Sequence, residues 1–284
     1  MPYLILSILF STAILIAFRY FSRWKIDNLQ AIVVNYLVAG SIGLLSYEGE
    51  VSLYGLTGKP WIGLTIILGM MFIATFFLFA LSSQRAGVAL TAVASRMSVI
   101  IPVTGGFLLF NEDLTAFKII GLLIALPAIY LTFLNESKQK FQLSTIWLPL
   151  AIFLGTGGND LIMKYTDYHY IDKDLHLVLS VIFFMSLMIG SVILSIQFIK
   201  GVQQPAVMNL AAGILLGIFN FASTYFLFRS MDHFESSVMF PVINSGIVML
   251  AALSDFTLFG IRLSRLNRLG IALAIVAIIF ISMG

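Results

Sequence analysis

Long apolar segments alternate with short polar connectors along the whole 284-residue chain. Within each segment the apolar residues are continuous, as in a membrane helix, and do not alternate with polar residues, as in the strands of a membrane barrel. Since a helix needs about 20 mostly apolar residues to cross a bilayer, the pattern predicts an all-α membrane protein with ten transmembrane helices. We place these helices at residues 2–21, 28–46, 60–82, 87–110, 115–134, 145–165, 175–199, 206–229, 236–259 and 265–283.

The two halves of the chain resemble each other. GMMFIATFFLFALS at 69–82 aligns with GIFNFASTYFLFRS at 217–230, and FKIIGLLIALPAI at 117–129 aligns with LNRLGIALAIVAI at 266–278. Only small differences in connector length separate the aligned pairs, as expected after duplication of one unit. We therefore predict two five-helix repeats. Their bounds are 1–134 for the first repeat, 135–144 for the connecting loop and 145–284 for the second repeat.

Equivalent loops of the two halves carry opposite charge. The connector RYFSRWK is basic and its counterpart YTDYHYIDKD is largely acidic, whereas FNEDL is acidic and its counterpart FGIRLSRLNR is basic. If the halves insert with opposite topology, equivalent loops lie on opposite faces of the membrane, and these differences become one consistent charge bias. The sequence therefore predicts inverted repeats, a construction that recurs in secondary transporters with a site near the bilayer midplane.

The same charges predict the orientation of the chain. The face that holds both termini carries Lys59, Lys118, Lys164, Lys173 and Arg229. The opposite face carries Arg19, Arg23, Lys25, Arg85, Lys138, Lys140, Lys200, Arg262, Arg265 and Arg268. Because the face richer in Lys and Arg stays in the cytoplasm, we expect both termini outside.

The composition narrows the class of protein. Hydrophobic residues make up 60% of the chain and charged residues 10%, whereas an ordinary soluble domain carries about 25% charged residues. The absence of cysteine excludes disulfides and thiolate chemistry, and the three histidines lack the spacing of metal ligands. We therefore expect a chain embedded in the lipid bilayer, without a metal or a cofactor. We expect no nucleic-acid partner either, because loop topology accounts for the net charge of +3.

One stretch carries a family resemblance. FNEDLTAFKIIGLLIALPAIYL, from Phe110 to Leu131, is similar to the drug/metabolite transporter superfamily, and to its EamA-like members in particular, in its acidic residue, short polar turn and glycine. These three features are Glu112, Thr115 and Gly121, and Pro102 precedes the stretch. In the second half the glycine is kept as Gly270, and Ile261 stands where an acidic residue is expected.

This resemblance implies a fold and a general function. Members of this superfamily have five plus five helices and carry small molecules, often as exporters, which implies a bacterial inner-membrane protein here. Their termini are usually cytoplasmic, which is the reverse of the orientation that the Lys and Arg residues predict for this chain.

Arg96 stands out among the ionisable residues, because it lies near the middle of the predicted helix 87–110. A charge at membrane depth costs at least about 2.5–3.5 kcal/mol on insertion scales, so such residues are functional candidates. The repeat alignment places Asn244 at the equivalent position. Both side chains would then approach the pseudo-two-fold axis, where a guanidinium suits a carboxylate or phosphate. The alternative interpretation is a structural ion pair, or hydrogen bonds to a broken helix.

Asp160 is the second candidate charge. It lies in the sequence FLGTGGNDLIMK and shares a helix face with Thr156 and Asn159. Asp160 could neutralise Arg96, bind a cation or take up a proton during transport. Solvation at the membrane interface, or pairing with Lys164 one turn later, would explain it without a functional role.

Four uncharged polar residues complete the predicted substrate site: Asn35, Asn220, Thr224 and Tyr225. Asn220 and Thr224 lie four residues apart on one helix face. Hydrogen bonding between helices explains such residues as often as ligand binding does.

The glycines have mainly a structural interpretation. Gly213 and Gly217 form a GxxxG pattern that allows close contact between helices. GTGG at 155–158 permits either dense packing or unwinding of the helix toward a ligand.

Three classes of function remain open at this point. The first is a monomeric carrier that exports an amino-acid-like or otherwise anionic or zwitterionic solute by alternating access, with proton coupling as one option. The second is an exporter of lipophilic cations, or a flippase for an amphipathic lipid-linked molecule. The third, an intramembrane enzyme, needs a nucleophile with a base, a metal set or two converging acids, and we identify no catalytic residues of these kinds.

Overall fold

The computed structural model describes residues 1–51, 53–85, 88–133, 147–171, 174–201, 204–260 and 264–283, and the predicted connecting loop at 135–144 lies outside them. Across these residues the chain forms twelve helices and no strand. The helices are α1 (Pro2–Trp24), α2 (Asn28–Leu45), α3 (Leu53–Thr57), α4 (Ile62–Arg85), α5 (Val88–Met97), α6 (Ile100–Phe110), α7 (Ala116–Phe133), α8 (Trp147–Tyr170), α9 (Leu175–Ile199), α10 (Val207–Met231), α11 (Ser236–Phe259) and α12 (Arg265–Ser282).

Seven segments of the described chain are long and apolar enough to cross a bilayer. They lie in α1, α2, α4, the combined α5 and α6, α9, α10 and α11. The protein therefore has the architecture of a multi-pass helical membrane protein. The apolar stretch of α7, Ala116–Leu131, is shorter, and α8 carries Asn159, Asp160 and Lys164 in its second half. Ten spans remain a prediction that would require α7, α8 and α12 to cross as well.

The largest departures from the predicted helix boundaries lie in three places. The helix predicted at 87–110 is interrupted, because α5 ends at Met97 and α6 begins at Ile100. The short helix α3 lies in the connector between the predicted helices at 28–46 and 60–82, and α8 continues five residues beyond the predicted end at 165. Apolar periodicity cannot locate an interruption of one turn, since the residues on both sides of it are equally apolar.

Helices α2 and α9 lie side by side with opposite directions. Gly43, near the end of α2, lies so close to the start of α9 that a Cβ atom would be 2.9 Å from the carbonyl oxygen of His176. Gly190, late in α9, lies beside Val33, early in α2, where a Cβ atom would be 3.1 Å from its Cγ2 atom. The hydroxyl of Ser180 donates to the Gly40 carbonyl at 3.0 Å and joins the two helices.

The last helices of the two halves, α7 and α12, also run antiparallel. At one end of the pair, a Cβ atom on Gly121 would be 3.0 Å from the Ala277 carbonyl oxygen. At the other end, Asn267 Nδ2 donates to the Leu131 carbonyl at 3.2 Å. Each of these two helix pairs thus joins a helix of the first half to an oppositely directed helix of the second half.

Gly213 and Gly217 bring α10 into backbone contact with α2, which confirms the predicted role of the GxxxG pattern. A Cβ atom on Gly213 would be 2.6 Å from the Ala31 carbonyl oxygen, and one on Gly217 would be 2.8 Å from the Asn35 carbonyl oxygen. Since both contacts advance in the same order along both chains, α2 and α10 run parallel.

A polar cluster connects the start of α9 to the start of α4. Asp174 accepts hydrogen bonds from Lys59 Nζ at 2.5 Å, from Trp61 Nε1 at 3.3 Å and from the Tyr47 hydroxyl at 3.3 Å. Partial burial of the Asp174 carboxyl group raises its pKa, but the three donors and the Lys59 charge outweigh this effect, and the net pKa lies below the usual range. The hydrogen bond to Asp174 raises the pKa of Lys59.

A similar cluster connects the start of α2 to the start of α10. Asn209 donates to Gln30 Oε1 at 2.9 Å and accepts from the Asp27 backbone N–H at 3.1 Å. Gln30 Nε2 donates to the Gln204 carbonyl at 2.9 Å. Because α2 and α9 are antiparallel, this cluster and the Asp174 cluster lie at opposite ends of the helix bundle.

Replacement of Asp174 by Asn is expected to lower the melting temperature of the protein in detergent at pH 7. The effect should be about 1 kcal/mol or less, because Lys59 is 36% exposed and water screens the pair. The pKa of Asp174 is lower in the folded state than in the unfolded state, where it is about 3.9. The ionised carboxylate therefore stabilises the fold above that pH, and the stabilisation is lost as the pH falls through the folded-state pKa. The difference between the wild-type and D174N melting temperatures should therefore shrink between pH 5 and pH 3. Glu50→Gln, an exposed change in a neighbouring connector, serves as the control.

Candidate functional site

Arg96 lies in the last turn of α5, directly before the interruption between α5 and α6. Pro102 accounts for this interruption, because it has no N–H to donate to the Ser98 carbonyl, and its ring would clash with that carbonyl in a regular helix. The Ser98 carbonyl instead accepts from the Ile101 N–H at 2.9 Å, in a tighter turn. The Ser98 hydroxyl donates to the Ser95 carbonyl at 2.6 Å. A proline four residues after Ser98 was the sequence feature that could have revealed the interruption.

The guanidinium of Arg96 contacts Asn244, the residue that the sequence alignment of the two halves pairs with it. Arg96 Nη1 donates to Asn244 Oδ1 at 3.1 Å, and Asn244 Nδ2 donates to the Phe240 carbonyl one turn earlier in α11 at 3.0 Å. Asn244 is buried, and its second hydrogen bond fixes the direction in which its oxygen points. The two side chains that the repeat alignment pairs therefore contact each other, while their position at a pseudo-two-fold axis stays a prediction.

Helix α8 borders Arg96 with a row of small and polar residues. The hydroxyl groups of Ser95 and Thr156 are 3.5 Å apart. Asn159 Nδ2 donates to Thr75 Oγ1 at 3.2 Å, while its Oδ1 is buried without a hydrogen-bond partner. The Asn159 side chain therefore keeps one unsatisfied acceptor on this side of the site.

The GTGG segment serves close packing, and the alternative of an unwound helix is wrong. Helix α8 is continuous from Trp147 to Tyr170. A Cβ atom on Gly157 would be 2.8 Å from the Ser98 carbonyl oxygen, and one on Gly155 would be 3.0 Å from Thr75 Oγ1. These glycines let α8 approach both the interruption after Arg96 and helix α4.

Asp160 interacts electrostatically with Arg96 without contacting it. Each charge acts on the other. However, the ion pairs among the described residues, with N–O distances of 4.0 Å or less, do not include this pair. Asp160 is partly buried on α8, one position after Asn159. The guanidinium thus has a carboxylate nearby but donates its hydrogen bond to the neutral Asn244. Its other N–H groups remain available to another acceptor.

A cavity of about 240 Å³ opens beside Arg96. Its lining residues are Leu15, Ile16, Arg19, Phe79, Ala92, Ser95, Arg96, Ala251, Ser254 and Phe259. Arg96 lies toward the middle of the bundle and the exposed Arg19 near the end of α1, with the Arg19 guanidinium 5.3 Å from the centre of the Phe259 ring. The cavity therefore combines cationic groups with a largely apolar wall.

Several of these lining residues were not predicted as site residues. The sequence identifies Arg19 only as a charge that determines topology, and it does not single out Phe79 or Phe259. The position of Arg19 inside the first apolar segment could have identified it, since charges inside such segments are functional candidates. The two phenylalanines carry no such sequence feature among the 25 of the chain.

Asn35 and Asn220 contact each other between α2 and α10. With the Asn35 amide oriented to satisfy its neighbours, its Oδ1 accepts from Asn220 Nδ2 at 3.2 Å and its Nδ2 donates to the Leu216 carbonyl at 3.3 Å. Neither residue lines the Arg96 cavity. Their geometry supports the interpretation as a hydrogen bond between helices.

Tyr225 and Thr224 also lie away from the cavity lining. The Tyr225 ring stacks against both His176 and Phe221, with ring centres 5.1 and 6.0 Å away. Its hydroxyl accepts from Arg229 Nε at 3.2 Å. Thr224 is buried in the same helix. The predicted site residues thus fall into a group around Arg96 and two groups within α2, α9 and α10.

The comparisons with known proteins extend over nearly the whole chain. No family profile matches it. It is 25% identical over 285 aligned positions to an uncharacterised protein of Haemophilus influenzae strain Rd, covering 97% of this chain and 95% of that protein. A solved crystal structure of a protein is similar to it with a TM-score of 0.76 at 12% sequence identity, covering 99% of this chain and 96% of the other. The helical architecture is therefore shared with a known fold.

Proposed function

We propose that this protein is a multi-pass membrane transporter of the EamA-like kind within the drug/metabolite transporter superfamily. It moves a small polar metabolite, amino-acid-like or otherwise anionic or zwitterionic, out of a bacterial cell by alternating access around the Arg96 cavity. The observation that carries this proposal is a partly buried guanidinium that lines a cavity and contacts a neutral partner, Asn244, at 3.1 Å. Such a group can bind a carboxylate without first breaking a direct ion pair.

The helix directions support the two inverted five-helix repeats on which alternating access depends. In an inverted pair, equivalent helices run in opposite directions, as α2 with α9 and α7 with α12 do. Arg96 and Asn244 then occupy equivalent positions on either side of the pseudo-two-fold axis. Rocking of one repeat against the other would change the face of the membrane from which water reaches Arg96 and Asn244. The two side chains themselves would stay at the centre of the bundle.

The charge-derived orientation agrees with the direction of transport that we propose. The cavity extends from Arg96 to the exposed Arg19, which belongs to the face richer in Lys and Arg. If that face is cytoplasmic and both termini lie outside, the cavity opens toward the cytoplasm. An exporter loads its solute from this side.

Transport by the purified protein in liposomes tests the proposal. We expect counterflow of small carboxylates that carry an apolar group, no counterflow of the matching amides, and loss of activity in Arg96→Ala. Asp160→Asn should keep its preference for carboxylates, because it removes the charge that opposes them. Transport of lipophilic cations that Asp160→Asn abolishes and Arg96→Ala preserves would overturn the proposed substrate class. Protein-free liposomes provide the background.

A flippase for an amphipathic lipid-linked molecule is the second candidate, and one feature favours it. A lateral groove of about 330 Å³ lies between α1, α11 and α12, and apolar atoms make up nearly all of its surface. Leu4, Ile8 and Val242 belong to its wall, and it shares no lining residue with the Arg96 cavity. Movement of a fluorescent lipid between leaflets, in the same liposomes, separates this function from transport of a soluble solute.

A further inference from the structure

The chain turns sharply between α6 and α7, and this turn directs Glu112 toward the other half of the protein. Asn111 adopts a left-handed conformation with φ of 52°, which ends α6. The backbone N–H groups of Asn111 and Glu112 both donate to the Gly106 carbonyl, the second at 3.2 Å. This pattern closes the last turn of a helix and reverses the chain direction. Glu112 is thereby placed beside the start of α11.

The Glu112 carboxylate caps the N-terminus of α11 with both of its oxygens. Oε1 accepts from the Ser236 N–H at 2.7 Å and Oε2 accepts from the Ser237 N–H at 2.9 Å. The first N–H groups of a helix have no partner within the helix, and a negative charge at this end is favourable. Glu112 is only 8% exposed, so water competes weakly for these hydrogen bonds. The bare Gly106 backbone leaves the space that the carboxylate occupies, since a Cβ atom there would clash with it.

A second charged contact lies beside this cap. The ammonium of Lys118, in α7, forms an ion pair with Glu235 and donates to the Asp113 carbonyl at 2.9 Å. Lys118 is 5% exposed, whereas the Glu235 side chain is 46% exposed. Glu235 directly precedes α11. We call the contacts of Glu112 and Lys118 with residues 235–237 the latch.

The latch and the Arg96 cavity lie at opposite ends of the same helix. The latch residues Ser236 and Ser237 begin α11, whereas the cavity residues Ala251, Ser254 and Phe259 lie in its second half. On the latch side of Arg96, α6 carries Val103 and α11 carries Met239, and their side chains are buried. The path from Arg96 to the latch face is therefore closed by packed side chains, with the latch at its outer end.

Beyond the latch lies a polar cavity of about 520 Å³. Glu112, Lys164, Asp167, Asp232 and Glu235 are among its lining residues. Lys164 is buried and donates to the Met231 carbonyl at the end of α10 at 3.0 Å. This cavity therefore reaches the buried carboxylate of the latch from the face opposite to the Arg96 cavity.

We infer that the latch is the gate on the α11 N-terminal face: Glu112 and Lys118 hold that face shut while the Arg96 cavity is open to the opposite face. The inference rests on the proposed alternating access. The latch joins a helix end of the first half to a helix end of the second half by hydrogen bonds and one ion pair, which can break and reform as the halves rock. Release of these contacts separates the ends of α6 and α11 and opens the path past Val103 to Arg96.

Thiol labelling tests the gate, because the chain contains no cysteine and each introduced thiol is a single reporter. Val103→Cys reports on the path between Arg96 and the latch, and Ser254→Cys reports on the Arg96 cavity. In sealed vesicles a membrane-impermeant maleimide should label Ser254→Cys readily from the cavity face and Val103→Cys hardly at all from the latch face.

Glu112→Gln should reverse this pattern. An amide has one acceptor oxygen, so one of the two N–H groups at the start of α11 then faces a donor, and the negative charge is lost. We expect labelling of Val103→Cys from the latch face to rise about tenfold or more, as loss of charge-assisted hydrogen bonds of this strength predicts, and labelling of Ser254→Cys to fall. The matched control is Asp113→Asn, whose exposed side chain makes no latch contact because only its backbone carbonyl accepts from Lys118.

Two further measurements keep the outcomes distinct. If Glu112→Gln fails to fold, Lys118→Met removes the ion pair and keeps an apolar stem in its place, and the same rise is expected. Unchanged Val103→Cys labelling in the folded variants would overturn the gate. A shift in labelling without transport of any tested solute would support the gate and reject the proposed function. Transport with unchanged labelling would support the proposed function and reject the gate.

Discussion

Arg96→Ala is expected to lower the affinity for a carboxylate solute about 10- to 100-fold, because a hydrogen bond to a charged group contributes roughly 1.5–3 kcal/mol. The wild-type guanidinium lines the cavity and uses one contact, at 3.1 Å, on Asn244. Its remaining N–H groups point to no carboxylate within contact distance among the described residues. Isothermal titration of the purified protein with a carboxylate and with its amide measures the difference directly.

Arg96→Lys separates the charge from the shape of the donor. A lysine keeps the positive charge but lacks the planar fork that binds two oxygens at once, so its affinity should lie between those of the wild type and Arg96→Ala. Arg19→Ala is the matched control, because it removes a cation from the exposed end of the same cavity. Equal binding of carboxylate and amide by the folded wild-type protein would contradict a role of Arg96 in solute recognition.

Gly217→Ala is expected to destabilise the protein strongly, because the added methyl group has no room between α2 and α10. The new Cβ atom would lie 2.8 Å from the Asn35 carbonyl oxygen and 2.7 Å from Val38 Cβ, so the two helices must separate to admit it. Overpacking of this kind costs typically about 1–3 kcal/mol. Separation of the helices would also weaken the contact between Asn35 and Asn220. Thermal unfolding in detergent, followed by circular dichroism, should show a lower melting temperature.

Gly63→Ala is the matched control for this change. Gly63 lies in the first turn of α4, and no heavy atom lies within 4 Å of the position of its Cβ atom. The alanine should therefore leave the melting temperature unchanged or raise it slightly, since alanine favours a helix over glycine by up to about 1 kcal/mol. A similar fall in the melting temperature of both variants would show that an added methyl group is harmful at any helix position. The close contact between α2 and α10 would then not explain the effect of Gly217→Ala.

Much of the helical layout was predictable from the chain alone. The predicted starts at 28, 175, 236 and 265 coincide with the observed starts of α2, α9, α11 and α12. Polar connectors punctuate the apolar segments, and lipid leaves the backbone of such segments almost no alternative to a helix. The packing role of the glycines at 213 and 217 was predictable too, because small residues spaced four apart have one common use in membrane helices.

The candidate site was predictable only in part. Arg96 and Asn244 were singled out because one is a charge within an apolar segment and the other is the residue that the predicted repeat alignment pairs with it. Asn35, Asn220 and Tyr225 are just as polar in sequence, yet they contact neighbouring helices away from the cavity. A polar residue in an apolar helix must find a partner, but the sequence does not say whether that partner is another helix or a solute.

The sequence by itself determined which segments are apolar enough to form membrane helices and which residues bring charge into them, because the hydrophobic effect and backbone hydrogen bonding act on each segment locally. Only the tertiary structure decided what those charges face. Arg96 contacts Asn244 and not Asp160, Glu112 caps a helix of the other half, and α5 and α6 separate at the turn that α8 packs against. These contacts join residues more than a hundred positions apart or depend on the shape of a neighbouring helix, and so they arise only when the helices are packed together.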